Sequence, residues 1–92
     1  GSWRGKNILQ RNAIIALANA NDRSAIPKLL EIIETSQNQI HIATAIWSLG
    51  ELIREVTPDL VDLLTSLKKP SPAIIEERGR FFQKFQHQIS HN

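Results

Sequence analysis

Residues 43–50 read Ala43-Thr44-Ala45-Ile46-Trp47-Ser48-Leu49-Gly50, and residues 11–18 read Arg11-Asn12-Ala13-Ile14-Ile15-Ala16-Leu17-Ala18. A shift of 32 lays Ala13, Ile14 and Leu17 on Ala45, Ile46 and Leu49, and sets Ala18 against Gly50. Further on, a shift of 34 lays Ile26, Leu29, Leu30 and Ile33 on Leu60, Leu63, Leu64 and Leu67. The offset grows by two because the turn inside the second pair is two residues longer. Each segment carries its apolar residues at helical spacing, and a period of about 30 to 35 residues made of two helices is the mark of a helical solenoid.

Punctuation residues place the helices. The first runs from about Asn7 to Ala20, with Asn19, Asn21 and Asp22 supplying turn chemistry. Ser24 is positioned to cap the second, with Pro27 in its first turn and an end near Thr35. Ser36 to Gln39 makes a turn, and a third helix reaches about Ile53. Thr57-Pro58 and Ser71-Pro72 are caps followed by proline; they open a fourth helix ending near Lys69 and a fifth carrying Ile74, Ile75, Phe81, Phe82, Phe85 and Ile89. On the fifth, Ile75, Phe82 and Ile89 share a face with Phe85 nearby. The fold class is therefore all-α: two helix pairs over residues 7–69 and a C-terminal capping helix and tail over residues 70–92, a fragment of an α-solenoid.

The first helix of each pair is apolar nearly all round, as a helix sandwiched between neighbours is, whereas the second keeps only a stripe. Gly50 costs about 1 kcal/mol against alanine inside a helix, which points to the close approach of a neighbouring backbone. Two repeats are fewer than a solenoid usually needs. The outer side of the first helix is left without a cover in this sequence, and exposing its Ile and Leu forgoes about 1.5–3 kcal/mol each. A domain cut from a longer protein is the expectation, with Gly1 and Ser2 a cloning remnant.

Composition narrows the chemistry. Of 92 residues, 28 are Leu, Ile, Val or Phe, enough for a folded core. Cysteine is absent, which excludes a thiolate nucleophile, a cysteine-ligated zinc and an iron–sulfur cluster held by this chain alone. No apolar run approaches the ~18 residues of a membrane span and no leader opens the chain, so a soluble chain is expected. The net charge of +2 is unevenly spread: residues 1–30 sum to +4, residues 31–67 to −5 and the remainder to +3. Basic ends permit a polyanion on one edge, and an ordinary solvated surface gives the same pattern.

The segment Ser2-Trp3-Arg4-Gly5-Lys6, then Leu9-Gln10-Arg11-Asn12-Ala13 and Ala16-Leu17, with Ala45-Ile46-Trp47-Ser48-Leu49-Gly50 later, resembles the C-terminal HEAT-like domain of bacterial epoxyqueuosine reductases. The likeness covers residues 2 to about 53, and its most specific part runs from Trp3 to Ala13. Ala18 stands where many relatives have glycine, and residues 70–92 match no signature. The resemblance implies a cytoplasmic oxidoreductase that reduces the epoxide of epoxyqueuosine in a tRNA anticodon, using cobalamin and two iron–sulfur clusters. It also implies that this fragment is not itself the enzyme. Residues 1–6 become a linker from the upstream catalytic domain, and the repeats help to bind tRNA or buttress that domain. The other reading is a HEAT-like protein–protein scaffold unrelated to RNA.

Arg4, Lys6, Arg11 and Asn12 are the candidate phosphate contacts, flanking the first turn of a helix, with Asn19 seven residues on extending a polar strip. The alternative is a linker packed on the catalytic domain and solvated asparagines. Lys68 and Lys69 complement the dipole at the end of the fourth helix. Arg78, Arg80 and Lys84 interleave with phenylalanines, a pattern that suits core packing better than an RNA or membrane stripe. Trp3 either stacks or anchors the linker, and Trp47 is read as core. His87 and His91 lie four apart but lack a third ligand, and His41 lacks the partners of a triad. The acidic residues of the middle read as outward-facing helix positions.

Overall fold

The computed structural model describes residues 11–89. In chain order the elements are α1 (Arg11–Asn19), a 3-10 turn (Arg23–Ala25), α2 (Ile26–Thr35), α3 (Gln39–Leu52), α4 (Pro58–Thr65), α5 (Pro72–Lys84) and α6 (Gln86–Ile89). Among the described residues no strand is present.

Side-chain caps set most helix starts. Asn38 Oδ1 accepts from the amides of Ile40 and His41 at 2.9 and 3.1 Å and opens α3. Thr57 and Ser71 cap α4 and α5, accepting from Leu60 N and Ile74 N at 3.2 and 3.3 Å, each followed by its proline as expected. The start of α2 differs from expectation. Asp22 rather than Ser24 is the acceptor: its Oδ1 takes the Ser24 amide at 3.0 Å and the Ser24 hydroxyl too, which caps the 3-10 turn, and α2 follows without a side-chain cap. Asn21, at φ 55°, makes the left-handed residue that lets the chain reverse after α1.

Two other ends fall elsewhere than the sequence suggests. The fourth helix stops at Thr65, not near Lys69: the hydroxyls of Thr65 and Ser66 donate back to carbonyls of Val61, Asp62 and Leu63, and Lys69 takes a left-handed φ of 47° before Pro70. Lys68 and Lys69 thus lie past the helix they were expected to close. The fifth helix is divided at Phe85 into α5 and the short α6.

α3 packs against α1, α2 and α5, and Leu60 and Leu64 of α4 join the same apolar cluster. The thickness of 18 Å is that of two helix layers, given axes about 8–10 Å apart. Ile42 to Ile46, Ser48 to Gly50 and Leu52 are all buried, so α3 is the sandwiched helix its composition predicts. α1 is less enclosed: of its residues only Ile14 and Ala18 are buried, whereas Ala13 and Ala16 are exposed, and among the described residues its main packing partner is α3.

The capping helix proves to be in register with the repeat. A further shift of 32 carries Ile42 and Leu49 of α3 onto Ile74 and Phe81 of α5, all four buried. Its buried face is Ile74, Phe81 and Phe85, whereas Ile75 is 50% exposed and Phe82 and Ile89 only flank the cluster. The Phe81 and Phe85 rings lie 4.9 Å apart. At Gly50 the close neighbour is therefore an aromatic edge and not a backbone: a β-carbon there would stand 3.3 Å from Phe81 Cδ2.

Candidate nucleic-acid interface

Of the four candidate phosphate contacts, Arg4 and Lys6 lie outside the described residues, as do Trp3 and His91. Arg11 and Asn12 stand on α1, both exposed, and Arg11 forms no ion pair among the described residues. Asn19, seven residues on, is exposed as well, with the apolar Ile15 and Ala16 lying between it and Asn12 on the helix.

Arg11 borders an open groove of about 400 Å³ that crosses α1, α3 and α5. Ile40, 57% exposed, and the partly buried Trp47 belong to its apolar lining with Ile15, Ala43 and Ala73, so Trp47 is a wall residue and not core. The far wall carries Arg80 with Glu76 and Glu77. Arg80 reaches Glu76 at 2.8 Å and Glu77 at 3.7 Å, so the charges on that wall are engaged with one another. Among the described residues that line the groove, Arg11 on α1 is the cation that forms no ion pair.

Two further basic residues of the C-terminal part, Arg78 and Lys84, act inside the molecule, whereas Lys68 and Lys69 are exposed. Arg78 Nη1 donates to the carbonyl of Leu64 at 3.0 Å, in the last turn of α4, where carbonyls lack helical partners. Lys84 Nζ donates to Gly50 O at 2.8 Å, near the end of α3, and approaches Glu51 at 3.4 Å. Gln88 accepts from Val56 N at 2.8 Å and donates to Arg54 O at 2.9 Å, fixing the link between α3 and α4. Nothing in the sequence flagged this clamp, because a long polar side chain reaching a carbonyl leaves no periodic trace. His87 is exposed on α6, and among the described residues no three His, Asp or Glu side chains converge as a metal site.

The match with the family model for HEAT repeats covers residues 6–78. This chain belongs to the HEAT-repeat family. Within it, the repeats are similar to those of named enzymes. An epoxyqueuosine reductase from Staphylococcus aureus is 42% identical over 62 residues, which is 67% of this chain and 16% of that protein. One from Lactococcus garvieae is 52% identical over 52 residues, 56% of this chain and 15% of that protein. The solved structure of epoxyqueuosine reductase from Streptococcus thermophilus superposes with a TM-score of 0.74 and 51% identity, covering 94% of this HEAT-repeat chain and 23% of that one. The relatives are thus those to which the stretch from Trp3 to Gly50 points, and the chain spans only a minor part of their length.

Proposed function

We propose that this chain is a non-catalytic helical-repeat domain of an epoxyqueuosine reductase, and that it helps to hold the tRNA or buttresses the catalytic part of the same polypeptide. The observation that carries the reading is the superposition on the Streptococcus thermophilus enzyme over 94% of the chain at 51% identity. Such an enzyme is expected to carry cobalamin and iron–sulfur clusters, and the clusters do not fit the residues here. Clusters need thiolates, the chain has no cysteine, and no alternative ligand set converges among the described residues. No step of the reaction is assigned to these residues, and the cofactors belong elsewhere in the polypeptide. A cytoplasmic location goes with the same reading; no described helix is long and apolar enough to cross a membrane.

For RNA contact, the support is the exposed Arg11 and Asn12 on α1, with Arg4 and Lys6 preceding them in sequence. Such groups position a backbone without reading bases. Replacing Arg4, Lys6 and Arg11 together by alanine in the full-length enzyme is expected to weaken tRNA binding and to flatten the log–log salt slope by about two, since each lost phosphate contact removes roughly 0.7–0.9. Unchanged affinity and slope in that triple variant would sink the RNA half of the proposal and leave the buttressing role.

A further inference from the structure

All six acidic side chains between residues 31 and 67 face solvent, as the sequence predicts, but three of them gather around one feature. Between α2 and α4, over the C-terminal end of α3, runs an open groove of about 440 Å³. Leu30, Ile53 and Leu63 are among the apolar residues lining it, each only partly buried. Glu34, Glu55 and Asp59 complete the lining, and no basic residue contributes. Of the six acids outside the groove, four are paired within the molecule, Glu31 with Lys28, Glu51 with Lys84, and Glu76 and Glu77 with Arg80, whereas Asp22 and Asp62 stand apart from it and from one another in sequence. The three groove acids form no ion pair among the described residues. An apolar floor with an uncompensated anionic rim repels a polyanion and complements a cationic amphipathic helix.

We propose that this groove docks a helical polypeptide segment bearing Leu- or Ile-sized side chains on one face and Lys or Arg along both flanks. α2, of 10 residues, forms one wall and is about 15 Å long at 1.5 Å per residue, so about three turns of ligand helix fit, with anchors at i, i+3 or i+4, and i+7. The inference stands apart from the RNA reading, which concerns α1.

The probe is a labelled synthetic peptide of about four turns with leucines at those positions and lysines on the flanks, titrated against the whole 92-residue chain. A companion peptide carries glutamate in place of each lysine. Binding of the lysine peptide is expected to weaken about tenfold between ~50 and ~300 mM salt and to shift the methyl resonances of Leu30 and Leu63 while leaving Ile40 and Ile75 in place. The glutamate peptide should not bind. Glu34→Lys with Glu55→Lys should cost about tenfold in affinity with an unchanged circular dichroism spectrum, whereas Glu31→Lys, on α2 outside the groove, should cost little. Failure of the lysine peptide to bind, equal binding of the two peptides, or indifference to the double charge reversal overturns the proposal. So does self-association that the double variant abolishes, which would make a second copy the occupant, or an RNA hairpin that shifts the Leu30 and Leu63 methyls, which would make it RNA.

Discussion

A methyl group added at Gly50 would meet the edge of Phe81 at 3.3 Å, and Phe81 is itself held against Phe85 in the core. Gly50→Ala gains about 1 kcal/mol of helix propensity and loses a similar amount to the displaced ring, so thermal denaturation should place it within about 1 kcal/mol of the parent. Gly50→Leu has no such room and should cost about 3 kcal/mol by overpacking. That position 50 must be small was legible from the alignment of the repeats, which sets it against Ala18. What it faces was not legible, because the partner ring is 31 residues away on a helix whose rotation the alignment does not fix. Of the candidate site, Arg11 and Asn12 are exposed, which the phosphate-contact reading and the solvated-residue reading both require. The engagement of Arg80 with Glu76 and Glu77 was legible too, since the three residues stand four and three apart on one helix, but reading Arg80 only against the phenylalanines passes over it.

At the scale of helices, polar ties complete what apolar stripes begin. Arg78 closes the end of α4, and removing it leaves a partly buried carbonyl without its charged donor. Arg78→Ala is expected to lower stability by about 1–2 kcal/mol in urea unfolding, with Arg78→Lys intermediate, and, on the proposed function, to leave tRNA affinity of the full-length protein unaltered. A loss of affinity with no loss of stability would assign Arg78 to a binding surface instead. The fifth helix also shows where periodicity stops being decisive. Ile74 and Ile75 are adjacent, as are Phe81 and Phe82, so two faces about 100° apart satisfy the same apolar spacing. The sequence favours the Ile75, Phe82 and Ile89 face; the fold uses Ile74, Phe81 and Phe85, and the break at Phe85 lets Ile89 swing back to flank the cluster. Caps were easier to read, since Thr57 and Ser71 act on amides only three residues away.

For the molecule as a whole, α3 is shared: it packs against α1, α2 and α5. Deleting residues 72–92 would uncover it, and the lost burial of Ile74, Phe81 and Phe85 at about 1.5–3 kcal/mol each approaches the ~5–15 kcal/mol that a domain has in total. The shortened chain should show little cooperative unfolding by circular dichroism; a sharp transition near that of the parent would mean that α5 is an accessory lid and not a third row of the repeat. The offset of 32 residues that aligns Ile42 and Leu49 with Ile74 and Phe81 also sets the span of the polar contacts between rows. Side-chain hydrogen bonds between distant parts of the described residues join positions 14 to 34 apart: Leu64 with Arg78, Gln39 with Ser71, Val56 with Gln88, Ile14 with Ser48 and Gly50 with Lys84. No partner in this set waits for a remote end of the chain. Loop closure stays inexpensive at every step, so a polypeptide emerging from a ribosome can complete each helix row against the one just made.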